Sequence, residues 1–290
     1  MSPRASLLGL MPLAALLALL PALAPQCAAH AATAVAEPVV VRNVAYGPDP
    51  RQRLDLYAPR AAHGAPVIVM VHGGGWRHGD KALPGVVADK VARWVPRGAL
   101  VVSVNYRMLP DTDPLQQARD VARAVATAQR EVVRLGGSPD RFVLMGHSAG
   151  GHLVALLAAS PAMARDAGVR PWLGTVLLDS GAIDTVALMR APHAPLYDDA
   201  FGTDPRYWVA ASPLAQLKQR TAPVLAVCST PRLRSCQAHA AFVARARALG
   251  SRAQLLPEQL SHREINVTLG EANAYTRAVE EFLRSVGALR

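Results

Sequence analysis

The residues of this chain best spaced for chemistry are Gly146-His147-Ser148-Ala149-Gly150-Gly151. The apolar run Arg141 to Met145 precedes them, and a helical pattern over Ala149 to Ala159 follows. A G-x-S-x-G at a strand-to-helix junction holds its serine on a sharp, strained turn, with the hydroxyl lifted above the sheet. Gly146 and Gly150 remove the Cβ atoms that would collide there. The helix N-terminus favours negative charge nearby. Ser148 is therefore placed as a nucleophile for acyl transfer. The second signal is His72-Gly73-Gly74-Gly75-Trp76, directly after the apolar run Val67 to Val71. Consecutive glycines let backbone N–H groups approach a substrate closely. With the N–H of Ala149 they would stabilise the oxyanion of a tetrahedral intermediate. His72 is expected to shape this loop by hydrogen bonding rather than to react.

Acyl transfer also needs a base within reach of the serine hydroxyl. His262, in Leu260-Ser261-His262, is late in the chain and just past an expected strand. When a nucleophile elbow is used, the base comes last in chain order. His147 and His152 flank the elbow, whereas His63, His78, His193 and His239 stand in surface-like contexts.

The elements that must carry these groups alternate. An edge strand is expected over 38–46 and a half-buried antiparallel strand over Arg51 to Tyr57. Buried strands follow at 66–71, 99–104, 141–145, 173–178, 223–227 and 252–256. Helical patterns cover 83–94, 113–135, 149–159, 237–249 and 271–286. Such alternation implies a parallel sheet with right-handed crossovers and helices on both faces. Residues 185–220 break the rhythm. This insert holds Tyr197, Phe201, Tyr207 and Trp208, which either line a pocket or pack as a small core of their own.

Taken together, HGGGW and GHSAGGHL resemble the α/β-hydrolase superfamily. Within it they resemble the hormone-sensitive-lipase-like carboxylesterases and the BD-FAE-like group. Arg53-Leu54-Asp55-Leu56-Tyr57 and Val104-Asn105-Tyr106-Arg107 match as well, so the likeness spans roughly residues 44–287. It implies a mostly parallel sheet of about eight strands and hydrolysis through an acyl-enzyme. It also implies Ser148 as nucleophile, His262 as base, and the amides of Gly74, Gly75 and Ala149 as the oxyanion hole.

One position departs from that pattern. The family usually sets an aspartate in the loop after the strand at 223–227. Here that loop is Cys228-Ser229-Thr230-Pro231-Arg232-Leu233-Arg234-Ser235-Cys236, with two arginines and no carboxylate. Asp179, at the end of the preceding strand, is the first candidate for the acid. Asp184 is a second, and absence of any acid is the third reading. Glu264 stands too close in sequence to His262 to serve comfortably. Without an acid the dyad would be slow but not dead.

The rest of the sequence bounds the setting. The chain has 290 residues, 51% hydrophobic and 18% charged, which excludes a disordered protein. Residues 1–31 read as a cleaved signal peptide. Arg4 starts it, an apolar run from Ala5 to Leu20 is short for a membrane span, and small residues follow. The domain then covers 38–290, secreted or periplasmic. Cys228 and Cys236 could form a disulfide in such a compartment. The net charge of +10 is dispersed, without the dense basic tract of a nucleic-acid binder. No H-E-x-x-H, C-x-x-C or dinucleotide fingerprint occurs, so no metal or cofactor is expected. Nothing in the sequence sets an oligomeric state. The expected function is an exported serine carboxylesterase acting on small acyl esters. One alternative is an amide hydrolase, arylformamidase- or peptidase-like, on the same machinery. The other is an acid-depleted relative that binds without hydrolysing.

Overall fold

Runs apolar on every residue have no face to offer water, and they form the middle of the sheet. The computed structural model describes residues 37–290, so the expected signal peptide lies outside the described residues. Eight strands follow in chain order: β1 (Val39–Ala45), β2 (Arg53–Ala58), β3 (Ala65–Val71), β4 (Leu100–Val104), β5 (Gly137–His147), β6 (Gly174–Leu178), β7 (Val224–Ser229) and β8 (Ala253–Glu258). They form one sheet in the order β1-β2-β4-β3-β5-β6-β7-β8. Only the β1–β2 and β2–β4 pairings are antiparallel. β2 corrects one expectation: its alternating sequence suggested a half-buried strand, yet Leu54 to Ala58 are all buried. Asp55, the polar residue within it, is held there by Lys81 Nζ at 2.8 Å and Arg42 at 3.2 Å.

Between the strands run α1 (Pro84–Trp94), α2 (Pro114–Glu131), α3 (Ala149–Ala159) and α4 (Pro161–Asp166). The helix expected to reach residue 135 ends its α-helical part at Glu131 and tightens into a 3₁₀ turn over Val132–Leu135. Gly136 then stops it in the left-handed region at φ 77°. The insert is built from α5 (Thr185–Arg190), α6 (Pro195–Phe201), α7 (Pro205–Ala210) and α8 (Pro213–Gln216). The chain closes with α9 (Leu233–Ala248), α10 (His262–Val267) and α11 (Ala274–Ser285). α9 begins about one turn before the expected Gln237, so Arg234 and Cys236 lie on a helix. α10 was not expected at all. It starts at His262 because Ser261 and Glu264 cap one another reciprocally. One core fills the face covered by α2, α3 and α9, and a second fills the face covered by α1 and α11.

His152, fully buried on α3, ties the insert to the sheet. It accepts the Trp76 indole N–H on Nδ1 at 3.2 Å and donates from Nε2 to the Ala211 carbonyl at 2.7 Å. Burial holds it neutral, pushed down to about 4. His239, expected at the surface, is in fact buried, because α9 turns that face onto the sheet. Burial lowers it too, as it lowers His72 and His147.

These four imidazoles bind protons more readily in the unfolded chain. Their stabilisation is therefore complete above the ordinary histidine range and is lost as pH falls below about 6.5. Melting temperatures taken from pH 7 down to pH 5 should fall steeply. Replacing His239 with glutamine should flatten the slope by on the order of 1 kcal/mol per pH unit.

Candidate active site

Ser148 sits between β5 and α3 with φ 55° and ψ −119°, the strained geometry expected of an elbow. Crowding explains the glycines. A Cβ on Gly146 would lie 2.3 Å from the Gly150 carbonyl oxygen, and one on Gly150 would lie 2.2 Å from the Val71 carbonyl oxygen. β3 therefore ends directly against the first turn of α3. A Cβ on Gly73 would lie 2.8 Å from Ser148 Cβ, so the glycine loop passes beside the nucleophile. Gly74, Gly75 and Trp76 continue that loop with positive φ. Gly74, Gly75 and Ala149 all line the cavity that holds Ser148.

The matching stretches with no evident chemistry hold this loop in place. Tyr106 stacks on His72 and donates its hydroxyl to the His72 carbonyl at 3.0 Å. His72 in turn donates from Nδ1 to the Gly73 carbonyl at 2.8 Å, which is the shaping role expected of it. Asn105 bonds Asp80 and the Lys81 amide. Arg107 forks onto buried Asp120 at 2.7 and 2.8 Å. The Tyr106 and His72 bonds fix the start of the glycine loop directly.

His262 Nε2 is 3.0 Å from Ser148 Oγ, and His262 Nδ1 is 2.7 Å from Asp179 Oδ2. The three side chains form one continuous chain of hydrogen bonds. Asp184 is not part of it: its carboxylate caps α5 by accepting the Ala187 N–H. Glu264 is occupied in the capping box. Asp179 is fully buried and has φ 47°. Its Oδ1 accepts the Ser229 N–H at 3.1 Å and the Ser235 hydroxyl at 2.7 Å. Its Oδ2 also accepts from Arg232 Nη1 at 2.5 Å. Burial alone would push this carboxyl up. The donors of His262, Ser235, Arg232 and Ser229 outweigh that and hold it well below the usual carboxylate range. It stays ionised at any pH where His262 could act as a base.

Two contacts gave no sequence signal. His147 donates from Nε2 to the His262 carbonyl at 2.8 Å, and its ring lies 4.5 Å from the His262 ring. Burial, then the neighbouring His262, pushes His147 down to about 3, so it acts as a neutral donor. Arg232 was expected as evidence against an acid, yet it clasps one. Cys228 and Cys236 are disulfide-bonded, with Cα atoms 5.0 Å apart. Of the four insert aromatics, Tyr197 alone lines the cavity, joined by Leu196. Phe201 is buried against Trp76 and His152. Tyr207 donates to Asp113, and Trp208 donates to the Gly202 carbonyl. The cavity measures about 470 Å³, and Arg232, Arg263 and Asn266 also line it.

The BD-FAE family model matches residues 54–230, more than half of the chain. The chain belongs to the BD-FAE family. The match runs from β2 through the glycine loop and the elbow to the end of β7, and His262 lies beyond it. A probable isoprenylcysteine alpha-carbonyl methylesterase of Arabidopsis thaliana is 35% identical over 41% of this chain and 24% of its own length. Esterase LipQ of Mycobacterium tuberculosis is 34% identical over 54% of this chain and 35% of its own. A kynurenine formamidase of Danio rerio is 31% identical over 49% and 46%. The chain thus spans less than half the length of these curated relatives. Among solved structures, esterase 2 of Thermogutta terrifontis superposes with TM-score 0.70 at 22% identity, over 86% of this chain and 95% of its own. That likeness carries the fold of this BD-FAE member.

Asp179→Asn tests the acid. An amide cannot stabilise an imidazolium, and it can leave the imidazole in the wrong tautomer. Turnover of an activated ester should fall by about 10³ to 10⁴. Asp184→Asn should cost less than about threefold, because Asp184 lies outside that hydrogen-bonded chain and asparagine caps a helix about as well as aspartate.

Proposed function

We propose that this chain is a serine carboxylesterase-type hydrolase. The observation that carries this reading is the unbroken Ser148–His262–Asp179 chain of hydrogen bonds. His262 Nε2 takes the hydroxyl proton as Ser148 Oγ attacks the ester carbonyl carbon. Asp179 stabilises the imidazolium that forms. The amides of Gly74, Gly75 and Ala149 receive the negative charge on the carbonyl oxygen. Collapse of the tetrahedral intermediate breaks the ester C–O bond, and the imidazolium protonates the departing alcohol. Water, activated by His262 in the same way, then releases the acid and restores Ser148.

Leu196 and Tyr197 line the cavity of about 470 Å³ beside Ser148, and esters of small acyl groups are the substrates proposed for it. Export is part of the proposal. Its support is the leader-like sequence of residues 1–31 together with the Cys228–Cys236 pair. The formamidase among the relatives favours amides as a second substrate class.

A fluorophosphonate probe should label the purified protein and fail to label Ser148→Ala. Equal labelling of the two would sink the proposal. Across p-nitrophenyl acetate, butyrate and octanoate, kcat/KM should drop at least about tenfold on the longest chain. Turnover of formyl-anilides without any ester turnover would assign the amide class instead.

A further inference from the structure

Arg232 lies in the loop where the family resemblance leads one to expect the acid, and its side chain reaches back to Asp179. Nη1 bonds Asp179 Oδ2 and lies 3.2 Å from the Asp179 carbonyl oxygen. The same nitrogen is 2.7 Å from His262 Nδ1. For His262 to accept a proton on Nε2 it must carry its own hydrogen on Nδ1, directed at Asp179. Arg232 and His262 are then two donors on one carboxylate oxygen, with a permanent positive charge beside the imidazole. Ser229 and Ser235, which hold the other oxygen, belong to the same short loop that the Cys228–Cys236 bond closes. Three of the four groups that bond the Asp179 carboxylate therefore come from residues 229–235.

We infer that Arg232 is a positioning residue: it locks the Asp179 carboxylate in the one orientation that holds His262 toward Ser148. This rests on the hydrolase reading above. The lock confines Asp179 to the one orientation that serves the base. The Arg232 guanidinium, about one-third exposed, holds the buried carboxylate through a charge-assisted hydrogen bond that a neutral side chain cannot make. Other groups face His262 as well. Asp179 accepts from its Nδ1, the neutral His147 ring lies tilted against it, and Arg263 follows it on α10 at the exposed end. Lys90, beneath, is tied to the Asn266 carbonyl at 2.6 Å. Glu264 is tied to Ser261. None of the other cations approaches Nδ1 as Arg232 does, so removing Arg232 alone should expose its effect.

The experiment compares wild type with Arg232→Met, which keeps the reach and loses the charge, and with Arg232→Lys, which keeps a charge. Initial rates on p-nitrophenyl butyrate at pH 8 give kcat and KM. In the Met variant kcat should fall about tenfold with KM changed less than about twofold. Lysine should bring kcat most of the way back. A Met variant whose kcat stays within about twofold of wild type overturns the inference, as does a lysine variant as slow as the methionine one. Arg232→Gln reads the same kcat if the Met variant does not fold. The downfield resonance of the His262 Nδ1 proton, followed by NMR without substrate, should weaken in the Met variant and persist in the lysine variant; a resonance unchanged by methionine overturns the inference. A wild type that turns over no ester would therefore count against the hydrolase reading while leaving Arg232 separately testable.

Discussion

One buried carboxylate organises the site. Asp179 carries a charge with no access to water, and such a charge persists only where donors replace the solvent it has lost. Four groups do so, and one of them is the imidazole that reaches Ser148. The carboxylate thus fixes three things together: the loop after β7, the start of α10 and the orientation of His262. If the pair with His262 were broken, the remaining donors would still hold Asp179, but nothing comparable would hold the ring.

The sheet register explains how an aspartate just past β6 comes within reach of both Ser148 and the loop after β7. His147 pairs with Leu178, and Leu178 pairs with Val227. Ser148 and Asp179 are therefore next in line on neighbouring parallel strands, and the Ser148 N–H bonds the Leu178 carbonyl at 2.9 Å. Asp179 does the same with Val227, also at 2.9 Å. Parallel strands lie about 4.8 Å apart, so moving the acid one strand nearer the nucleophile is a small step that a single side chain can span. The left-handed backbone at Asp179 turns its carboxylate toward α10 rather than along the strand. Arg232, from the loop after β7, sets a cation beside that carboxylate.

Neutral imidazoles do much of the remaining positioning. His72 shapes the glycine loop, His147 holds the backbone of His262, and His152 joins Trp76 to the insert. Each is buried and uncharged, so each offers one donor and one acceptor at fixed positions. A histidine beside an elbow reads from sequence as a rival base. Burial decides otherwise, because a ring that cannot take a proton cannot compete with His262 for the one on Ser148.

The elbow, the glycine loop and the late histidine were readable from the chain alone because their chemistry depends on local backbone. Glycines permit the close approaches at 146, 150 and 73–75, and those residues adjoin the elements they serve. The order of strands and helices was readable for the same reason, since hydrophobic period is a local property. The sequence left the acid open among Asp179, Asp184 and none. It also read Arg232 as a sign of loss and split the insert aromatics evenly between pocket and core. Each of those answers is a distance between residues far apart in the chain: Asp179 and His262 are 83 positions apart, and Asp179 and Arg232 are 53. Such distances are set by sheet register and by the packing of α9 and α10 across the strand ends. Spacing along one chain carries no record of either, so only the tertiary structure could choose the carboxylate.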